Sequence, residues 1–182
     1  MNKTHMKIED NFLKQEKFDR LQNLFMSGSM LWSYNDGIDY KEDKVKFQFV
    51  HLIYGGNVPH SSLYEKTFPI LEIIQPFIIV RIKANLLTRT SNIVENAFHV
   101  DINDLSEEKL KQWTTSIFYV NTNNGYTKFE DGTKVESVAN RMVTFPANIK
   151  HTGTSCTDKK TRIIINFNYF SKGESVDDNS RN

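Results

Sequence analysis

From Phe77 onward the chain is a succession of short β-rich runs, 77–87, 115–121, 141–145 and 162–170, separated by stretches holding Gly, Asn and Asp. Runs this short, rich in β-branched and aromatic residues and bounded by turn formers, favour an all-β barrel or sandwich. The last run decides what faces what. Arg162, Ile164, Asn166 and Asn168 share one face of a strand there, and Ile163, Ile165, Phe167 and Tyr169 share the other. A guanidinium at the head of such a half-apolar strand needs a partner, because burying it unpaired costs several kcal/mol. With no acid in the strand itself, a ligand carboxylate is an attractive partner, the alternative being a side chain that snorkels to solvent.

Upstream, Asp10 to Met26 carries Phe12, Leu13, Phe18, Leu21, Leu24 and Phe25 at near-helical spacing, which predicts an amphipathic helix packed outside a sheet. Residues 27–46 read as loop and turn, and 45–54 as a strand ended by Gly55-Gly56. Residues 61–74 predict a second helix, closed before Pro76 because proline disfavours helical geometry in the residue preceding it. Within the β-rich half, Ser106 is placed to cap a short helical turn over 102–112. The expectation is one domain over residues 1–182. It has an N-terminal helical support at about 9–76, a barrel core at about 77–170 and a mobile polar tail at 171–182.

Charge and cysteine content narrow the chemistry. The 23 basic and 22 acidic side chains nearly cancel, so no general attraction to nucleic acid or to an anionic membrane is expected. No apolar run approaches a bilayer span, and the N-terminus is too polar for a secretory signal, so a cytoplasmic location is expected. A single cysteine, Cys156, excludes an intramolecular disulfide and any thiolate cluster, and reads as a small core residue. A metal site would have to use histidine and carboxylate.

His99-Val100-Asp101 supplies such a pair, its two side chains on one face if the segment is a strand, and His151 follows the run 142–146 after a short loop. Two imidazoles and one carboxylate occupy one face of an Fe(II) octahedron and leave the opposite face open. Taken alone, His99 could equally be a histidine satisfied by a turn carbonyl. His51 and His60 bracket Gly55-Gly56 without a carboxylate to complete a site, and read as surface or structural. Trp32 and Trp113 read as packing groups, and no nucleophile motif supports hydrolysis.

Five segments in order, HVD at 99–101, TTSIFYVN at 114–121, NGYTKF at 124–129, VTFPANIKH at 143–151 and TRIIINF at 161–167, resemble the Fe(II)- and 2-oxoglutarate-dependent dioxygenases, in particular the prolyl-4-hydroxylase-like branch. The stretch is also similar to uncharacterised oxygenases of marine phage genomes. The resemblance implies a double-stranded β-helix, the jelly-roll or cupin-like barrel, mainly β with flanking helices. It implies iron bound by His99, Asp101 and His151, with 2-oxoglutarate and O2 as cosubstrates and ascorbate as a candidate reductant. Arg162 would pair with the distal carboxylate of 2-oxoglutarate, Tyr119 would donate its hydroxyl to the same group, and Asn85 would also reach the cosubstrate. Tyr126 after Gly125 departs from the branch's Gly-Gly pair and bears on the substrate entrance.

The activity implied is hydroxylation of a C–H bond, on a protein or peptide side chain such as proline by family analogy. Alternatives are a small-molecule or nucleic-acid hydroxylase of the same superfamily and a non-catalytic cupin-like binding module. The alkylation-repair demethylases carry a second arginine six residues after the first; Asn168 stands there and argues against that branch.

Overall fold

The computed structural model describes residues 6–38, 46–101 and 112–171; the expected cap Ser106 and the polar tail beyond Ser171 lie outside them. Two sheets carry the fold. The larger orders β1 (Lys7–Glu9), β9 (Arg141–Pro146), β6 (Thr114–Tyr119), β11 (Thr161–Phe170), β5 (Ile78–Thr88), β3 (Gln48–Gly55) and β2 (Ser33–Asn35), with β4 (Val58–Pro59) on β3. The smaller orders β10 (His151–Gly153), β7 (Tyr126–Phe129) and β8 (Lys134–Glu136). Every strand pairing within them is antiparallel. Among the described residues the ladders do not join into one closed barrel, so the architecture is a jelly-roll sandwich.

β11 lies between β5 and β6 with its two faces divided as its alternation requires. Ile163, Ile165, Phe167 and Tyr169 pack with Ile53, Ile82 and Phe118 against Phe18, Leu21 and Phe25 of α1 (Gln15–Phe25), Leu63 of α2 (Leu63–Lys66) and Ile70 of α3 (Phe68–Ile74). Ile164, from the opposite face, joins Ile117, Tyr119, Val143 and Phe145 of the large sheet and Phe129 and Val135 of the small one. Helices thus cover one face of the large sheet, and the small sheet covers part of the other.

Both expected helices differ from the sequence expectation. The first helix begins at Gln15, not Asp10, because the Asn140 side chain accepts from the Leu13 N–H at 2.9 Å and donates to the Leu13 carbonyl at 2.8 Å, holding that residue out of a helical ladder. The second is two helices, interrupted at Thr67 with Pro69 in the first turn of α3, where proline is tolerated because no ladder N–H is needed. It does end before Pro76, at Gln75 in the left-handed region with φ 44°. The strand expected over 45–54 is present as β3, Gln48–Gly55, and pairs with β5. No helix among the described residues is long and apolar enough to cross a membrane.

Candidate metal and cosubstrate site

Residues 94–99 run antiparallel to 151–155 and extend the small sheet through isolated bridges, Glu95 opposite Thr154 and His99 opposite His151. His99 and His151 exchange backbone hydrogen bonds at 3.0 Å in both directions, which holds their rings 5.0 Å apart between centroids. The expected strand through 99–101 does not continue: Asp101 sits in a bend. The physical reason is a second set of partners on the large sheet. Arg81 of β5 donates to the Asp101 carbonyl at 3.0 Å, and the Asn168 amide of β11 donates to its carboxylate at 2.9 Å. The tripeptide therefore crosses from one sheet to the other, with its histidine bonded to the first and its aspartate to the second.

The ligand-capable atoms of His99, Asp101 and His151 all lie within 4.8 Å of one another, and no other such group of three occurs among the described residues. Each imidazole Nδ1 lies near the carbonyl two residues before it, His99 at 3.1 Å from Ala97 and His151 at 3.2 Å from Ile149. Donation from Nδ1 to a carbonyl places the lone pair on Nε2, the tautomer a metal requires. Burial works against ionising the Asp101 carboxyl, but His151, Arg81, the Asn168 bond and His99 outweigh it and hold the group at about 2. It is a carboxylate at neutral pH.

Arg81 and Asn168 were not expected as site residues. Arg81 Nε also donates to the Asn168 carbonyl oxygen at 3.1 Å, and Asn168 in turn donates to Thr115 at 3.1 Å, so Asn168 is oriented from two sides. The register of β5 against β11, Arg81 opposite Asn168, is what places them together, and no sequence motif announces it.

At the other end of the cavity Arg162 is 2% exposed. Its Nε donates to Ser137 at 2.8 Å and Nη2 to Thr127 at 3.2 Å, while Nη1 bonds no described residue. No acid among the described residues forms an ion pair with it, and burial pushes the guanidinium pKa down. Two glycines make room for it. A Cβ on Gly125 would lie 2.8 Å from Arg162 Cδ and 2.7 Å from the Ser155 carbonyl, and one on Gly153 would lie 3.2 Å from Nη1.

The Tyr119 hydroxyl, expected to face the cosubstrate, donates to Thr127 at 2.8 Å, and its ring lies 5.7 Å from the Arg162 guanidinium carbon. Burial raises the phenol pKa, so it stays a neutral donor. Thr127, which accepts from both Tyr119 and Arg162, is the one of the three hydroxyl-bearing neighbours that lines the cavity. Asn85 lines it too, with a buried carbonyl oxygen that has no hydrogen bond. The same cavity holds His99, Asp101, His151 and Arg162.

The remaining residues singled out in the sequence lie elsewhere. The His51 ring contacts the Leu31 carbonyl at 2.8 Å and the His60 ring that of Gly55 at 3.0 Å. Cys156 is fully buried, its thiol raised by burial. Trp113 packs on Phe170, and Trp32 against the helix-side core.

No protein-family model matches the sequence, and no curated protein does. Solved structures do match. A prolyl hydroxylase from Trichoplax adhaerens, in complex with a hypoxia inducible factor oxygen degradation domain peptide fragment, is similar at a TM-score of 0.65 and 14% identity, over 93% of this chain and 85% of that one. A prolyl-4-hydroxylase of Pseudomonas putida is similar at 0.59 and 12%, over 93% and 94%. HygX from Streptomyces hygroscopicus, with nickel and 2-oxoglutarate bound, is similar at 0.60 and 7%, over 93% and 84%. The fold of this chain is therefore the jelly roll of the 2-oxoglutarate oxygenases, prolyl hydroxylases among them.

Proposed function

We propose that the chain is an Fe(II)- and 2-oxoglutarate-dependent dioxygenase that hydroxylates a C–H bond, with a side chain of a protein or peptide as its substrate. The observation that carries this reading is one cavity holding two charge-complementary halves. At one end are two imidazole nitrogens and an ionised carboxylate within 4.8 Å of each other, and at the other a buried guanidinium whose Nη1 has no partner among the described residues. A redox-inactive binding barrel has no need of both. The donor set suits iron, since two nitrogens and one oxygen on one side leave coordination positions for a chelating cosubstrate and O2.

His99, Asp101 and His151 would hold the metal, and Arg162 would hold the distal carboxylate of 2-oxoglutarate. Bound there, iron and 2-oxoglutarate would supply the oxidising chemistry together with O2, one oxygen atom ending in succinate beside the released CO2 and the other in the new hydroxyl group. The chain's own contribution is orientation. Arg81 and Asn168 fix the Asp101 carboxylate, the Ala97 and Ile149 carbonyls fix the histidine tautomers, and Thr127 accepts from both Tyr119 and Arg162, which leaves its own hydroxyl proton for the cosubstrate. Tyr119 thus supports the anchor through Thr127, and Asn85 lines the same cavity with its side-chain oxygen open. A peptide substrate is inferred from the Trichoplax neighbour, whose complex contains one.

Purified protein given Fe(II) and 2-oxoglutarate under argon should show a weak visible charge-transfer band, and on admission of air should release succinate slowly without substrate. A folded protein that does neither is not an oxygenase. His99→Ala and Asp101→Ala should each abolish both signals.

A further inference from the structure

The cavity face of β5 and β11 is a ladder of opposed pairs: Arg81 with Asn168, Lys83 with Asn166, Asn85 with Ile164, and Leu87 with Arg162. Both arginines are accounted for, Arg81 by Asp101 and Asn168, Arg162 by Ser137, Thr127 and the cosubstrate. Lys83 is not. Its side chain lines the same cavity but makes no hydrogen bond or ion pair with a described residue; burial, then Arg81, lower its pKa, and the charge of Asp101 offsets this only in part. Asn166, opposite it on β11, and Asn85, two residues along β5, each have a buried side-chain oxygen without a hydrogen bond. Asn166 is buried while Lys83 and Asn85 are half-buried on the cavity wall, and buried polar atoms left without a partner cost stability and are retained where a ligand completes them.

On the reading above, both carboxylates of 2-oxoglutarate are committed, one to Arg162 and the other to the metal, so the row is left for the second occupant of the cavity. We propose that Lys83, flanked by Asn85 and Asn166, binds a carboxylate carried by the molecule that is oxidised, which makes the substrate an acidic one. The proposal rests on the oxygenase reading, because that reading assigns Arg162 to the cosubstrate. The register sets the geometry: Lys83 is one pair removed from the Arg81–Asn168 pair that holds Asp101, so the carboxylate sits beside the metal ligands and the C–H bond attacked is close to it. Each asparagine amide offers one donor side and one acceptor side, which serves the second carboxylate oxygen or a neighbouring N–H of the same substrate. The carboxylate is that of an acidic side chain, and it has two possible sources, free aspartate or glutamate or an acidic residue within a peptide.

The test uses full-length protein loaded under argon with Fe(II) and 2-oxoglutarate, and reads binding by calorimetry. The probes are L-aspartate and L-glutamate, five-residue peptides centred on each, and the asparagine and glutamine counterparts of all four. At least one carboxylate probe should bind ten times more tightly than its amide counterpart, and Lys83→Gln should remove that preference while leaving 2-oxoglutarate affinity within twofold. Binding by the free acid, or by the peptide only, identifies the source. Lys83→Met should raise the thermal midpoint of the unloaded protein, whereas a lysine kept for packing would lower it on removal. The proposal is overturned if no carboxylate probe binds, if acid and amide bind alike, or if Lys83→Gln weakens 2-oxoglutarate itself, which would assign Lys83 to the cosubstrate. Failure at the loading step instead counts against the oxygenase reading.

Discussion

Arg162 and Asn168, six residues apart on one face of β11, work at opposite ends of the cavity and by different physics. Arg162 is a buried cation whose hydrogen bonds go to two neutral hydroxyls, leaving its charge for a ligand. Arg162→Ala should weaken 2-oxoglutarate binding by about a hundredfold, from the loss of about 3 kcal/mol of charge-assisted pairing, measured by anaerobic titration of the metal-loaded protein. Metal affinity itself should change little. Asn168 acts on the carboxylate, through the 2.9 Å bond that directs Asp101. Asn168→Ala should lower metal affinity by about tenfold to a hundredfold, read by competition with a chelator, the range seen when a ligand's orienting partner is removed. Sequence reading could name Arg162, because a lone guanidinium on an apolar strand is conspicuous. It used Asn168 only to argue against a nucleic-acid demethylase, since an asparagine's partner is invisible until Arg81 and Asp101 are brought to it.

The long elements were legible because their periodicity is strong. β5, β6, β9 and β11 each fall within one or two residues of the runs read from the sequence, and β11 divides its faces as alternation requires. The short ones were not. β1, β8 and β10 are three residues each, too brief for alternation to register, yet β10 carries His151. The late start of α1 has the same character: Phe12 and Leu13 fit the helical stripe, but Asn140, 127 residues away from Leu13, takes both backbone groups of that residue. Asn140 holds φ 62°, which glycine also adopts. Asn140→Gly should therefore keep the turn and lose the clamp, destabilising the fold by about 2 kcal/mol for two buried hydrogen bonds, with amide exchange rising first in α1. Chemical denaturation and hydrogen exchange measure the two effects.

At the scale of the molecule, the proposed metal and cosubstrate site lies between two sheets that share no continuous ladder among the described residues, so ligand binding there should stabilise the whole fold. At about a hundred times the dissociation constant a ligand adds about 2.7 kcal/mol. In a protein of this size that raises the thermal midpoint by about 5–10 °C. The shift should vanish with a chelator or in His99→Ala. What the sequence by itself determined is what local chemistry encodes: a β-rich half, the apolar and polar faces of its last strand, and a set of metal-ligand and anion-binding residue types in a recognisable order. Which atoms meet was decided only by the tertiary structure. Strand register sets Arg81 opposite Asn168 and Lys83 opposite Asn166, and the bridge at residues 99 and 151 sets the two histidines side by side on the small sheet. Register and sheet packing depend on contacts between residues distant in the chain, and local pattern does not record them. His99-Val100-Asp101 reads as two side chains on one strand, and in the folded protein it is the tie between two sheets.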